Sequence, residues 1–170
     1  MLVLETDRLR LRRWRPEDGD PFAALNADAE VTRHLGSSPL SRDESDALVG
    51  RIEAHWDEWG YGLCAVEPKS ADAMIGFVGL GHHRAMPDHV EIGWRLARGA
   101  WGQGLATEGA EAVRDWAFGP LGIDRLISIT VPENVASWRV MEKLGMTLWR
   151  HVPWEGLTLK IYELGRPQGS

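Results

Sequence analysis

The stretch Arg98-Gly-Ala-Trp-Gly-Gln-Gly-Leu-Ala-Thr107 constrains this chain more than any other. On its N-terminal side, His89 to Leu96 alternates. Val90, Ile92, Trp94 and Leu96 face one way, and Glu91, Gly93 and Arg95 the other, which is the period of a strand. On its C-terminal side, Gly104 to Phe118 carries Ala106, Ala110, Val113 and Ala117 at helical spacing, with Glu108, Glu111 and Asp115 opposite. Between them, Gly99, Ala100, Gly102 and Gly104 leave the backbone nearly bare, so a ligand can approach it closely. A helix start adds N–H groups without intrahelical acceptors and the positive end of a dipole. Together these suit an anion such as a pyrophosphate. From Gly99 to Thr107 no carboxylate stands to repel one, and Thr107 adds a hydroxyl. A plain turn would use the same glycines for shape alone. A dinucleotide fold would want glycine where Thr107 stands and would open a parallel sheet with it, and a Walker-type loop would need Gly-Lys-Ser/Thr.

The rest of the chain alternates between the two periods. Arg8 to Trp14 sets Leu9 and Leu11 against Arg8, Arg10 and Arg12, predicting a strand whose arginine face is solvated. Arg15-Pro-Glu-Asp opens a helix with Phe22, Leu25 and Ala29 as its apolar stripe, and a short helical turn follows from Ala29 to Leu35. Ser41-Arg-Asp-Glu44 reads as a capping box, with Leu48, Ile52, Trp56 and Trp59 at helical spacing before Gly60. Strands are predicted over Leu63 to Glu67, Met74 to His82 and Arg125 to Val131. A helix from Asn134 to Leu144 stops at Gly145, and closing strands run near Thr147 to Pro153 and Leu157 to Leu164. The order β-α-α-β-β-β-α-β-α-β-β implies an α/β (α+β) fold. It is a mixed sheet of about seven strands with about four helices on its faces, in one domain over residues 1–170.

Bulk properties remove several function classes. A formal net charge of -6 without a long basic run excludes duplex nucleic acid as the main partner. It would suit a cationic acceptor. Neither a basic N-terminal region before an apolar run nor a membrane-length apolar stretch occurs. A lone cysteine, Cys64, excludes an intramolecular disulfide and fits a reducing, cytoplasmic setting. Nine tryptophans are many for this length, and are expected in the core and around a cavity.

Three motifs in order carry a resemblance. They are Leu4-Glu-Thr-Asp-Arg-Leu-Arg-Leu-Arg12 with Arg15-Pro-Glu-Asp18, Glu91-Ile-Gly-Trp94 with Trp101-Gly-Gln-Gly-Leu-Ala-Thr-Glu108, and Asn134-Val-Ala-Ser137 with Glu142-Lys-Leu-Gly-Met146. The sequence resembles the GNAT superfamily of N-acetyltransferases, in particular the RimJ and RimL-like branch. The resemblance implies a GNAT fold, acetyl-CoA as donor substrate, and an amine acceptor that is a peptide N-terminus or a small amine. It implies that Trp94, Leu96, Ala97, Trp101, Gly102, Gln103, Gly104, Leu105, Ala106, Thr107, Asn134 and Ser137 contact the cofactor. It also implies splayed strands near Leu96, where the pantetheine arm adds like a strand. The superfamily's phosphate motif usually opens with Gln or Arg, and here Trp101 takes that place before Gly104 and Ala106. The general-acid tyrosine of other branches has no counterpart, since the only tyrosines are Tyr61 and Tyr162.

Amine acetylation needs a proton removed, an oxyanion stabilised and a thiolate protonated. Glu91 is the candidate base, acting through a water, because Val90, Ile92 and Trp94 would desolvate it and raise its pKa. The alternative is a solvent-facing strand residue. Ser137, in the first turn after Asn134, is the candidate thiol partner or acid, against a serine that only satisfies helix-start backbone. Asn134 serves as cap as well as ligand. Backbone N–H near Leu96 and Ala97 is the expected oxyanion donor. Cys64 as an acyl-enzyme nucleophile is weighed against a buried strand cysteine. His82, His83 and His89 lack a spaced acidic partner for a metal, and border the acceptor pocket instead. Trp56 and Trp59 belong to core or pocket wall. The resulting expectation is direct transfer from acetyl-CoA to a primary amine, by a monomer or homodimer. A non-catalytic CoA-binding domain is the rival from another class.

Overall fold

The computed structural model describes residues 1–36 and 38–168. The strands are β1 (Leu2–Glu5), β2 (Leu9–Arg12), β3 (Leu63–Pro68), β4 (Gly76–Gly81), β5 (Val90–Leu96), β6 (Arg125–Thr130), β7 (Thr147–Trp154) and β8 (Leu157–Gly165). The helices are α1 (Gly19–Ala27), the single turn α2 (Ala29–Thr32), α3 (Arg42–Trp59), α4 (Leu105–Phe118) and α5 (Val135–Lys143). All eight strands lie in one sheet, ordered β1-β2-β3-β4-β5-β6-β8-β7. Every neighbouring pair is antiparallel except β5 and β6. The expected mixed sheet is therefore present, with one strand more than the periodicity predicted. That strand, β1, is a four-residue edge strand on β2 whose Leu-Val-Leu run has no alternation to betray it.

Local signals hold where they rest on caps. Ser41 Oγ accepts from the Glu44 N–H, the Glu44 carboxylate accepts from the Ser41 N–H at 2.7 Å, and α3 ends at a left-handed Gly60. Phe22 and Leu25 are buried as predicted, whereas Ala29 sits exposed in α2, because the chain turns at Asp28 and breaks the helical stripe.

The core forms where α4 lies close on the sheet. Leu9, Leu11, Cys64, Val66, Val78 and Leu80 are fully buried strand residues, and Ala110, Val113 and Ala117 are fully buried on the helix. Gly109 permits the approach, since a Cβ there would meet Val78 at 3.3 Å and Leu9 at 3.6 Å. On the other face Phe22 packs edge-on to Trp14 at 4.7 Å and to Phe77 at 6.1 Å. Trp56 is core, and its indole N–H donates to the Leu63 carbonyl at 2.9 Å.

The arginine face of β2 is not uniformly solvated. Arg12 is 3% exposed and grips Asp18 with two bonds of 2.8 Å, while its Nε donates to Glu67 at 3.0 Å. The helical turn Pro16–Asp18 and strand β3 bring those carboxylates over it. A guanidinium so enclosed needs both partners. Asp18→Ala should cost about 3–5 kcal/mol in urea unfolding, the usual penalty for stranding a buried charge. A loss below about 1 kcal/mol, the range of surface pairs, would contradict this account.

Candidate active site

Among the described residues the parallel pair β5–β6 is joined only at Val90–Leu126 and Glu91–Ile127. Beyond Glu91 the strands part. The Ile92 carbonyl is satisfied by the Ser128 hydroxyl at 2.8 Å in place of a ladder bond. The Ala97 N–H donates to the Ile75 carbonyl at 2.7 Å, toward β4. Antiparallel alternation then turns the main-chain groups of Trp94 and Leu96 the opposite way, into the opening. The Leu96 carbonyl accepts the Trp101 indole N–H at 2.9 Å. The open edge thus presents the Leu96 N–H and both polar groups of Trp94. Ala97, expected as an oxyanion donor, has its N–H committed to β4, which removes it from that role.

The glycine turn follows. Two tight bonds, Ala100 N–H to Ala97 O and Trp101 N–H to Arg98 O, bring the chain round. The first bond of α4 is Glu108 N–H to Gly104 O at 3.0 Å. Among the described residues, no main-chain N–H from Gly102 to Thr107 has an intramolecular acceptor. Gly104 caps the helix at φ +75°, a left-handed conformation that disfavours most side chains. Gln103 braces the turn through its amide to the Gly99 carbonyl at 3.0 Å. The Trp101 side chain folds back on β5, so its N–H is spent on the protein. Leu105 is 8% exposed, so its side chain belongs to the core while its N–H stays in the free run.

Periodicity did not mark Arg8 as part of this turn. Its Nη1 donates to the Gln103 carbonyl at 2.9 Å, its Nε pairs with Glu108 at 2.6 Å, and Nη2 lies 3.6 Å from where a Cβ on Gly104 would sit. Thr6 also donates to Glu108 at 2.6 Å. Desolvation would raise the Glu108 carboxyl, but the bonds from Thr6 and Arg8 outweigh it and hold the pKa below the usual value. The one acid in the first turn of α4 is therefore neutralised by a cation arriving from β2.

A cavity of about 560 Å³ opens between the parted strands. Its floor is the other face of β5, with Glu91, Gly93 and Arg95. One side is Ser128, Thr130, Asn134 and Ser137, and the far rim is His82, His83, Trp154 and Glu155. Trp94 reaches it, whereas no residue of the glycine turn lines it. Glu91 has no ion-pair partner among the described residues, and burial pushes its carboxyl up to about 8. Asn134 accepts from the Ser137 N–H at 3.4 Å, capping α5. Tyr61 shares a 3.0 Å hydrogen bond with His82, and Trp59 packs on the same imidazole at 4.3 Å. His89 instead packs on Trp149 at 5.5 Å. Cys64 is fully buried in the core and its thiol is pushed up to about 12 by desolvation, which rules it out as a nucleophile. No group of three His, Cys, Asp or Glu side chains converges as a metal site among the described residues.

Comparisons with known proteins bear on this arrangement. Residues 8–147 match the family described as acetyltransferase (GNAT) domain. The N-acetyltransferase p20 of Bacillus licheniformis is 30% identical over 146 residues, covering 85% of this chain and 82% of that protein. The crystal structure of an acetyltransferase from Agrobacterium tumefaciens superposes with a TM-score of 0.84 at 30% identity, covering 95% of this chain and 92% of the other. RimL, a ribosomal L7/L12 α-N-protein acetyltransferase solved with coenzyme A, shares the fold at a TM-score of 0.81 and 17% identity, covering 97% and 98%.

The turn yields a paired test. Asn and Asp both tolerate the left-handed conformation and differ chiefly in charge. Gly104→Asp should weaken coenzyme A binding at least about tenfold more than Gly104→Asn, measured by calorimetry. Equal affinities would contradict an anion site at this turn.

Proposed function

The chain belongs to the GNAT acetyltransferases and is an acetyl-CoA-dependent N-acetyltransferase; from that premise we propose that it moves the acetyl group directly to a primary amine seated in the β5–β6 cavity, with Glu91 as the base. The observation that carries this reading is the Glu91 carboxyl beside the opening of the sheet, without an ion-pair partner among the described residues and poised at about 8 by desolvation. A base of that pKa accepts a proton near neutrality yet is not held by a counter-ion. Acting through a water, it takes the proton from the ammonium, so that the neutral amine attacks the thioester carbonyl. The pantetheine arm lies along the open edge of β5, and the Leu96 N–H replaces the expected Ala97 N–H as the donor nearest the developing oxyanion. The run of N–H groups from Gly102 to Thr107, with Arg8 beside it, holds the pyrophosphate.

Ser137 and Asn134 border the cavity on the side opposite β5, where the leaving thiol emerges. The Ser137 hydroxyl has no hydrogen-bond partner among the described residues and is available to the sulfur. Both substrates are bound together, because the one thiol available for a covalent intermediate is buried and protonated. The acceptor is a small amine or an exposed N-terminus, entering over the rim formed by His82, His83 and the β7–β8 hairpin. The rival of a CoA-binding domain without catalysis leaves this desolvated, half-buried carboxylate without a purpose.

The sign of the pH dependence follows from the raised pKa. Below about 8 Glu91 is protonated and cannot act, so kcat should rise with pH through that value. Glu91→Gln should lower kcat by about 10²–10⁴-fold and flatten that limb, with coenzyme A affinity retained. An unaltered pH profile in the variant would refute the assignment.

A further inference from the structure

Arg95 is the feature of the cavity that the acetyl-transfer chemistry leaves unused. It lies on the same face of β5 as Glu91, with Gly93 between them. Its Nη1 donates to the Asn26 side-chain oxygen at 2.7 Å, and its guanidinium lies over the Phe77 ring at 5.3 Å. No carboxylate pairs with it among the described residues, and its buried Nε has no hydrogen-bond partner. Asn26 is itself fully buried and held by the Ser45 hydroxyl at 2.9 Å. The guanidinium is therefore fixed in direction and lacks an anion among the described residues. Withdrawing an unpaired cation from water is costly, and a desolvated charge in a cleft marks a candidate ligand site.

The surroundings favour an anion further. Arg51 of α3 also lines the cavity without an ion-pair partner among the described residues. Arg84 at the rim is matched by Glu155 at 3.3 Å. Glu91 stands four positions before Arg95 along the strand, about 13 Å between Cα atoms. Between them a Cβ on Gly93 would meet nothing within 4 Å, so the floor there is open. A molecule laid along this face meets a carboxylate at one end and a guanidinium at the other. The planar fork of arginine matches a carboxylate with two parallel bonds.

Building on the acetyl-transfer reading above, we propose that Arg95 is a specificity-determining residue that selects acceptors carrying a carboxylate beyond the reacting amine. The amine sits over Glu91 and the carboxylate on Arg95, so the acceptor is amino-acid-like at this site even though the protein as a whole is acidic. Asn26 and Ser45 act through Arg95 as positioning residues.

The test compares acceptors matched in length, 5-aminopentanoate against 5-aminopentanamide, and the peptides Ala-Glu-Gly against Ala-Gln-Gly with amidated C-termini. Acetyl-CoA turnover should favour the carboxylate at least about tenfold in kcat/KM, mainly through KM, in the aminopentanoate pair, the peptide pair or both. The pair that responds tells whether the anion belongs to a small molecule or to an acidic side chain. Arg95→Gln should abolish that preference, and Arg95→Lys should restore part of it. The same preference in Arg95→Gln, or none in the unaltered protein, would overturn the proposal. Calorimetric titration of the same pairs into the coenzyme A complex gives a readout independent of chemistry. If no amine is acetylated, the catalytic reading fails. The Arg95 proposal then stands or falls on whether carboxylate acceptors bind more tightly with Arg95 than with Gln. Retained coenzyme A affinity in each variant verifies folding.

Discussion

The parting of β5 from β6 after Glu91 is the constraint on which the rest of the site depends. A closed ladder would spend the main-chain groups of Trp94 and Leu96 on a neighbouring strand. Instead Ser128 takes the Ile92 carbonyl and ends the pairing early. An open strand edge is normally a liability, because it invites pairing with another chain. Here the opening is flanked by Asn134 and by Ser137 of α5, which line the same cavity as Trp94. The same strand then runs into the glycine turn, so one stretch of backbone carries both an open edge and a run of N–H groups without acceptors among the described residues.

Buried charge is used in two opposite ways. Arg12 is enclosed with Asp18 and Glu67, and every charge has a partner at hydrogen-bond distance. That cluster ties β2, β3 and the turn before α1 together and has nothing left to offer a substrate. Glu91 and Arg95 are half-buried without ionic partners among the described residues, and their pKa values shift in the directions that desolvation dictates. Burial raises the carboxyl to about 8 and lowers the guanidinium to about 10. Desolvation without pairing is what leaves a carboxylate able to take a proton near neutral pH. The difference between the two clusters lies in geometry, since all five residues are of ordinary type.

Much of this was legible from residue order. Alternation along β5 set Val90, Ile92, Trp94 and Leu96 against Glu91, Gly93 and Arg95; Ile92 and Leu96 are core and the second set floors the cavity, but Trp94 of the first set reaches the cavity as well. Caps at Ser41 and Asn134 and the stop at Gly60 are local devices, and local devices can be read locally. The features that were not legible are contacts between residues far apart in the chain. Arg8 meets Glu108 across one hundred residues, and Arg95 meets Asn26 across sixty-nine. Arg12 looks like its solvated neighbours until β3 and the turn at Asp18 close over it. The fate of the Ala97 N–H depends on which side of the strand pairs with β4, a matter of register that side-chain pattern does not encode. Arg8, Arg12 and Arg95 are one residue type in three roles, assigned only by what each finds within reach.

The central claim is that one open backbone edge and one bare turn together hold the donor. Amide chemical shifts from nitrogen-15 NMR during a coenzyme A titration test it most directly. The account predicts that the N–H signals of Trp94, Leu96 and Gly102 to Thr107 move strongly and become slower to exchange, while Ala97, already bonded to Ile75, keeps its protection throughout. Perturbations confined to β7 and β8, with those amides unmoved, would contradict it.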